Sequence, residues 1–194
     1  VAPDKNLSKI QYGRILLQIH QILFLLKSLN FSLRNKKFLD IGTGNGMIPK
    51  IISLITPIKK TVGIDPFLDK EHKTSWQQHN HDIAKKYIIN FLKKNKNLDY
   101  KEYRKYLKFE NFSFIPSKLD LKINKKEKYK FFKRSAHDSK KLKEKFDIIY
   151  LKSIEHFNNW NEMFKIFSNI TKKKSLIIFK HRSFFSYLGP HRYA

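Results

Sequence analysis

The sequence predicts an α/β fold: a doubly wound, mostly parallel sheet with helices on both faces and a helical insertion after the second strand. Three observations carry this. Short apolar strands alternate with segments of three- and four-residue periodicity, which is the layout of βαβ units. The first of these strands runs into three glycines within five positions, in a chain that has only six glycines. And 194 residues, 41% of them hydrophobic, are enough to bury the core of one domain, assigned here to residues 1–194.

Residues 7–29 read as an amphipathic helix, because Leu7, Ile10, Ile15, Ile19, Ile22, Leu26 and Leu29 recur at helical steps. "KFLDIG" (37–42) is a short apolar strand stopped by glycine, and "MIPKIISLI" (47–55) returns to helical spacing. Pro49 is tolerated there because it falls in the first turn, where its missing N–H costs nothing. "TVGID" (61–65) is a second buried strand. Residues 68–128 then occupy what is often a much shorter crossover, so they are expected to form an inserted cap or substrate-facing segment within the same domain. Helical spacing recurs in it at 73–95 and 98–109, and "NFSFIPSKLDLKI" (111–123) looks extended. Alternation resumes with strands at 128–136 and 146–153, a helix at 158–173 and a last strand at 175–181. The lysine runs at 124–133 and 140–145 read most simply as solvated loops.

The formal charge of +25 raises the possibility of a nucleic-acid partner. Almost all of the positive charge is lysine, with arginine only at 14, 34, 104, 134, 182 and 192, whereas planar bidentate readout of bases favours arginine. Composition bias toward Lys, Ile, Asn and Phe is the competing explanation of the charge. The chain has no cysteine, which excludes disulfides, thiolate metal sites and a cysteine nucleophile, and fits a reducing compartment. The apolar run 15–26 is too short to span a bilayer, and the opening residues lack the basic start of a secretory signal, so a cytoplasmic protein is expected. Nothing in the sequence indicates an oligomeric state.

The glycine cluster has its own chemistry. A strand ending in Asp-x-Gly-x-Gly-x-Gly before a helix can wrap closely around an adenosyl ligand. Gly42 and Gly44 permit positive φ, and Gly46 lets the helix begin without a side chain in the ligand's way. A dinucleotide fingerprint would put its third glycine at position 47, which is Met47. Asp65 ends the next strand, where a carboxylate can accept two hydrogen bonds from the vicinal diol of a ribose.

"FLDIGTGNG", "VGIDPF" and "FDIIYLKSIEHF" together resemble three successive signatures of the class I S-adenosylmethionine-dependent methyltransferases, in order over residues 36–181 and excluding the insertion. The resemblance implies a Rossmann-like fold with S-adenosyl-L-methionine as cofactor. It places Asp40 and the Gly42–Gly46 loop, Thr43 included, around the amino-acid end of the cofactor, and Asp65, followed by Pro66, at the ribose. Ser135 and Ala136 fall where relatives often carry an adenine-contacting Asp and a backbone contact, and Leu151 falls at the end of the fourth strand beside the cofactor. Serine departs from the family pattern, which leaves two alternatives open: Asp138 substitutes, or "FSFIPSKLD" is the true third strand. The later strand fits the family's order better. The family usually continues past its fifth strand into a helix and a hairpin; whether the native protein is longer than "GPHRYA" or trimmed is left open.

Candidate general bases follow the strands that point at the cofactor: Glu155 and His156 in "SIEHF", and His181 in "IFKHRSFF". His156, His181 and His191 have no diagnostic metal spacing, so no metal site is assigned. Among subclasses of the family, "LKSIEH" lacks the Asn/Asp-Pro-Pro-aromatic loop of amino-directed nucleic-acid enzymes. Carbon-5 pyrimidine chemistry lacks its cysteine, and the Lys-Asp-Lys-Glu set of ribose 2′-O enzymes is missing. The expectation is methyl transfer to O or N of a small or carrier-linked acceptor. The alternatives are an RNA or other polyanionic acceptor, or a non-catalytic cofactor-binding module.

Overall fold

In a computed structural model of the chain, residues 15, 18, 19, 21–44, 46–66, 128–151, 154 and 159–180 are described. The insertion expected over 68–128 lies outside them, apart from Lys128. Five strands, β1 (Lys37–Ile41), β2 (Lys60–Asp65), β3 (Tyr129–Lys133), β4 (Phe146–Leu151) and β5 (Thr171–Phe179), form one sheet in the order β3-β2-β1-β4-β5. Every pairing is parallel. The third strand is the later of the two alternatives, 129–133, paired to β2 from Thr61↔Tyr129 to Asp65↔Lys133.

Strand parity splits the core into two layers. Phe38, Ile148 and Tyr150 face α1 (helical residues 21–28) and α2 (Met47–Ile55), with Ile19, Ile22, Leu26, Ile51 and Ile55 closing that cluster. Leu39, Ile41, Val62, Ile64 and Ile149 face α3 (Trp160–Ile170) on the other side. Helix α3 buries Met163, Ile166, Phe167 and Ile170, a stripe at helical spacing. Each such side chain contributes about 1.5–3 kcal/mol of burial. Asn159 starts the helix by accepting the Glu162 N–H at 3.1 Å. Helix α1 stops in a Schellman turn: Asn30 is left-handed, and Phe31 N–H reaches back to the Leu26 carbonyl at 2.8 Å.

The boundary between the last helix and the last strand differs from the sequence reading. The helix expected to run to 173 ends at Ile170, and β5 begins at once with Thr171 rather than at 175. A bulge allows this: Lys174 adopts φ 64°, and the Ser175 hydroxyl accepts from Lys172 N–H and donates to the Phe146 carbonyl, both at 2.8 Å. Both lysine runs are only partly loop, because residues 129–133 form β3 and residues 137–142 form a short 3₁₀ helix packed against α3.

The strands begin at a charged edge. Asp147 accepts Lys37 N–H at 2.9 Å and pairs with Lys172 at 2.7 Å and Lys36 at 3.5 Å. Glu144 bridges Lys37 and Lys60. Burial alone would raise both carboxyls, but the lysine contacts, joined at Asp147 by the Lys37 amide, outweigh it and hold both below the usual range. Among the described residues, no helix is long and apolar enough to cross a membrane.

Candidate active site at the glycine bend

The sheet order reverses direction between β1 and β4, and the glycine bend leaves β1 at that switch point, where open α/β sheets place their ligands. All three glycines of the bend are left-handed: Gly42 at φ 72°, Gly44 at 58° and Gly46 at 71°. For an L-residue that conformation costs roughly 1–2 kcal/mol, which explains the cluster of glycines. The backbone is drawn in tightly. The Ile64 carbonyl accepts from Gly42 N–H at 2.9 Å and Thr43 N–H at 3.1 Å, and Gly46 N–H donates to the Thr43 carbonyl at 3.1 Å.

Two carboxylates brace the bend. Asp40, fully buried, accepts the Thr43 hydroxyl at 2.7 Å, and Thr43 is itself buried. Asp65, half-buried at the end of β2, accepts Gly44 N–H at 2.8 Å across the gap between the two strand ends. The acid expected at the ribose therefore stands against the glycine bend.

A row of side chains crosses the sheet beneath the bend. Parallel register aligns Phe131, Gly63, Asp40 and Tyr150 on neighbouring strands. Gly63 leaves a hollow in this row, and a Cβ there would lie 2.7 Å from Phe131 Cδ1 and 2.9 Å from Thr43 Oγ1. The same ring reaches under the helix start, where a Cβ on Gly46 would meet Phe131 Cζ at 2.5 Å and Cε1 at 2.6 Å. Gly46 thus has a reason for lacking a side chain that the sequence did not show, room for the Phe131 ring. Tyr150, buried at the other end of the row, has its phenol pushed well above the usual range by burial and then by the neighbouring Asp40 charge, so it stays protonated. Neither Phe131 nor Tyr150 was a candidate from sequence. The only local signal was the unexplained glycine inside strand "TVGID".

Ser135 and Ala136 lie just past β3, at the entry to the 3₁₀ helix rather than within the strand. Arg134 N–H ties this turn to the Asp65 carbonyl at 3.1 Å. The Ser135 hydroxyl donates to Asp138 at 2.9 Å and accepts Asp138 N–H at 3.2 Å. Lys141 and then Ser135 hold the Asp138 carboxyl below the usual range. Asp138, one of the two alternatives for the adenine-binding position, is thus engaged within its own turn. Among the described residues, Arg134 Nη1 and Ser139 Oγ of this segment are buried without a hydrogen-bond partner. Ala136 and Leu151 pack in the α3-side core, and the Leu151 carbonyl accepts Lys180 N–H at 2.8 Å. Pro66 is exposed. The candidate bases Glu155, His156 and His181 lie outside the described residues. Among those described, no group of three or more His, Asp or Glu side chains is placed to hold a metal ion.

The arrangement fits an adenosyl cofactor: a left-handed bend bare of side chains and only partly buried at Gly42 and Gly44, with a carboxylate at the neighbouring strand end able to receive a diol. Among solved structures, the chain is similar to precorrin 8W decarboxylase from Methanobacterium thermoautotrophicum, with 11% identity and a TM-score of 0.46 over 84% of this chain. It spans 61% of that protein's length. No curated protein matches the chain. The sequence model of a family described as a methyltransferase domain matches residues 16–186, nearly the whole chain, and the chain belongs to that family.

Proposed function

We propose that this chain binds S-adenosyl-L-methionine at the glycine bend and transfers its methyl group to an oxygen or nitrogen atom of a small or carrier-linked acceptor. The observation that supports this most directly is the Asp65 carboxylate 2.8 Å from Gly44 N–H. It brings the acid that would hold the ribose and the backbone that would line the ligand into one crevice. A carboxylate offers about four acceptor positions, so holding the Gly44 amide does not exhaust it.

When bound, the cofactor supplies a methyl carbon made electrophilic by its sulfonium. The protein's task is alignment and exclusion of water. Gly42, Gly44 and Gly46 let the backbone approach the ligand, with Asp40 and Thr43 locking the bend in shape. Asp65 orients the ribose. Where the acceptor must lose a proton, the base we assign is His156 or Glu155, which follow β4 in the chain, or His181, which follows β5.

Calorimetry with S-adenosylmethionine and its demethylated product tests the reading. Asp65→Ala removes a charge-assisted acceptor worth about 1.5–3 kcal/mol, so affinity is expected to fall by roughly ten- to a hundredfold. No heat with either ligand, or unchanged affinity in Asp65→Ala, ends the proposal.

A further inference from the structure

The lysines are scattered along the sequence, but the parallel sheet gathers many of them at one place. Lys36, Lys59, Lys128 and Lys145 stand just before the first residues of β1 to β4, and Lys172 is the second residue of β5. Because every strand points the same way, these entries line up along the amino-terminal edge of the sheet, opposite the glycine bend.

Backbone and side-chain contacts make the row continuous. Lys59 N–H donates to the Lys36 carbonyl at 2.9 Å, and Thr61 N–H donates to the Lys128 carbonyl at 2.8 Å. Glu144 joins β2 to β1 through Lys60 and Lys37, and Asp147 joins β1 to β5 through Lys36 and Lys172. Those two acids are engaged with these four lysines. Lys59, Lys128, Lys143, Lys145, Lys173 and Lys174 are exposed, and none has an acidic partner among the described residues. Five strands spaced about 4.8 Å apart make a ridge about 19 Å long.

We propose that this edge is a docking surface for the phosphate backbone of a nucleic acid. A phosphodiester chain is a line of single charges, and a single file of ammonium groups on a rigid sheet edge complements it. A bilayer instead presents its charge over a plane. Lysine is a point-charge partner for phosphate with no planar fork for base edges, so recognition is independent of sequence. The ridge faces away from the glycine bend, so it holds the polyanion without presenting it to the crevice.

The test is fluorescence anisotropy of the full chain with a labelled 20-nucleotide RNA of mixed sequence across a salt series. Lys59→Glu combined with Lys145→Glu is compared with a control of equal charge change elsewhere, Lys165→Glu combined with Lys180→Glu. Urea midpoints of both variants verify that they fold. The parent is expected to bind with affinity falling log-linearly with salt. The edge variant should lose at least about tenfold, with the salt slope shallower by roughly 1.4–1.8, while the control changes less than about threefold. Three results overturn the proposal: no RNA binding by the parent, equal losses in both variants, or an edge mutation that abolishes binding to phosphatidylserine vesicles and leaves RNA binding intact. None of these readouts involves the methyl donor, so failure here is separable from failure of the cofactor assignment.

Discussion

Substituting Gly46 by alanine tests the geometry of the bend through two separate penalties. The new Cβ sits on a residue at φ 71°, which costs about 1–2 kcal/mol for any L-residue. It also falls 2.5, 2.6 and 3.1 Å from Cζ, Cε1 and Cε2 of Phe131, and overpacking of this kind costs about 1–3 kcal/mol. The ring has little room to retreat, because Tyr129 lies against it at 4.8 Å between centroids and its other edge rests over Gly63. The expected destabilisation is therefore about 2–5 kcal/mol, a shift of the urea midpoint of about 1–2.5 M at an ordinary denaturant slope near 2 kcal/mol/M. Phe131→Leu separates the two penalties, since leucine lacks all three colliding atoms but keeps an apolar side chain at the position. In that background Gly46→Ala should cost only the backbone share, about 1–2 kcal/mol, leaving a coupling of about 1–3 kcal/mol in the double-mutant cycle. Urea unfolding followed by circular dichroism measures all four proteins. Additivity within about 0.5 kcal/mol would refute the packing of Phe131 beneath the bend.

Two predictions concern pH. Asp147 and Glu144 have folded pKa values below their unfolded ones, so their contribution to stability is present above about pH 4 and is lost as pH falls through the depressed folded values. Urea midpoints should accordingly drop as pH falls below about 4, and Asp147→Asn should flatten that drop while lowering stability at neutral pH by about 1–3 kcal/mol. At the alkaline end Tyr150 is displaced the other way, so its contribution holds below about pH 10 and declines as pH rises beyond that. Absorbance titration should show a tyrosine step displaced to the alkaline side, and Tyr150→Phe should remove that late step.

Much of the fold was legible because its signals are local. Helix α2 was read at its observed limits, since apolar spacing and a glycine start act within one or two turns. The strands β1, β2 and β4 were read to within a residue or two from uninterrupted apolar runs. The end of α3 was misjudged because the polar "TKKKS" continues a helical pattern on paper, whereas the Ser175 hydroxyl bridge that starts β5 early depends on β4 lying alongside. Asp40 and Asp65 were found from their position at strand ends next to glycines. Phe131 and Tyr150 were not, because nothing within their own segments distinguishes them from core aromatics.

The chain alone thus determined the strand–bend–helix at 37–55 and the need for glycine at 42, 44 and 46, because left-handed φ and side-chain periodicity are properties of a few consecutive residues. Register across strands far apart in sequence decided the rest. It set Asp65 against Gly44 and stacked Phe131 over the gap at Gly63 beside Asp40. It also brought lysines from five separate segments to one edge. Those juxtapositions come from parallel pairing over separations of twenty to more than a hundred residues, and no local pattern encodes them.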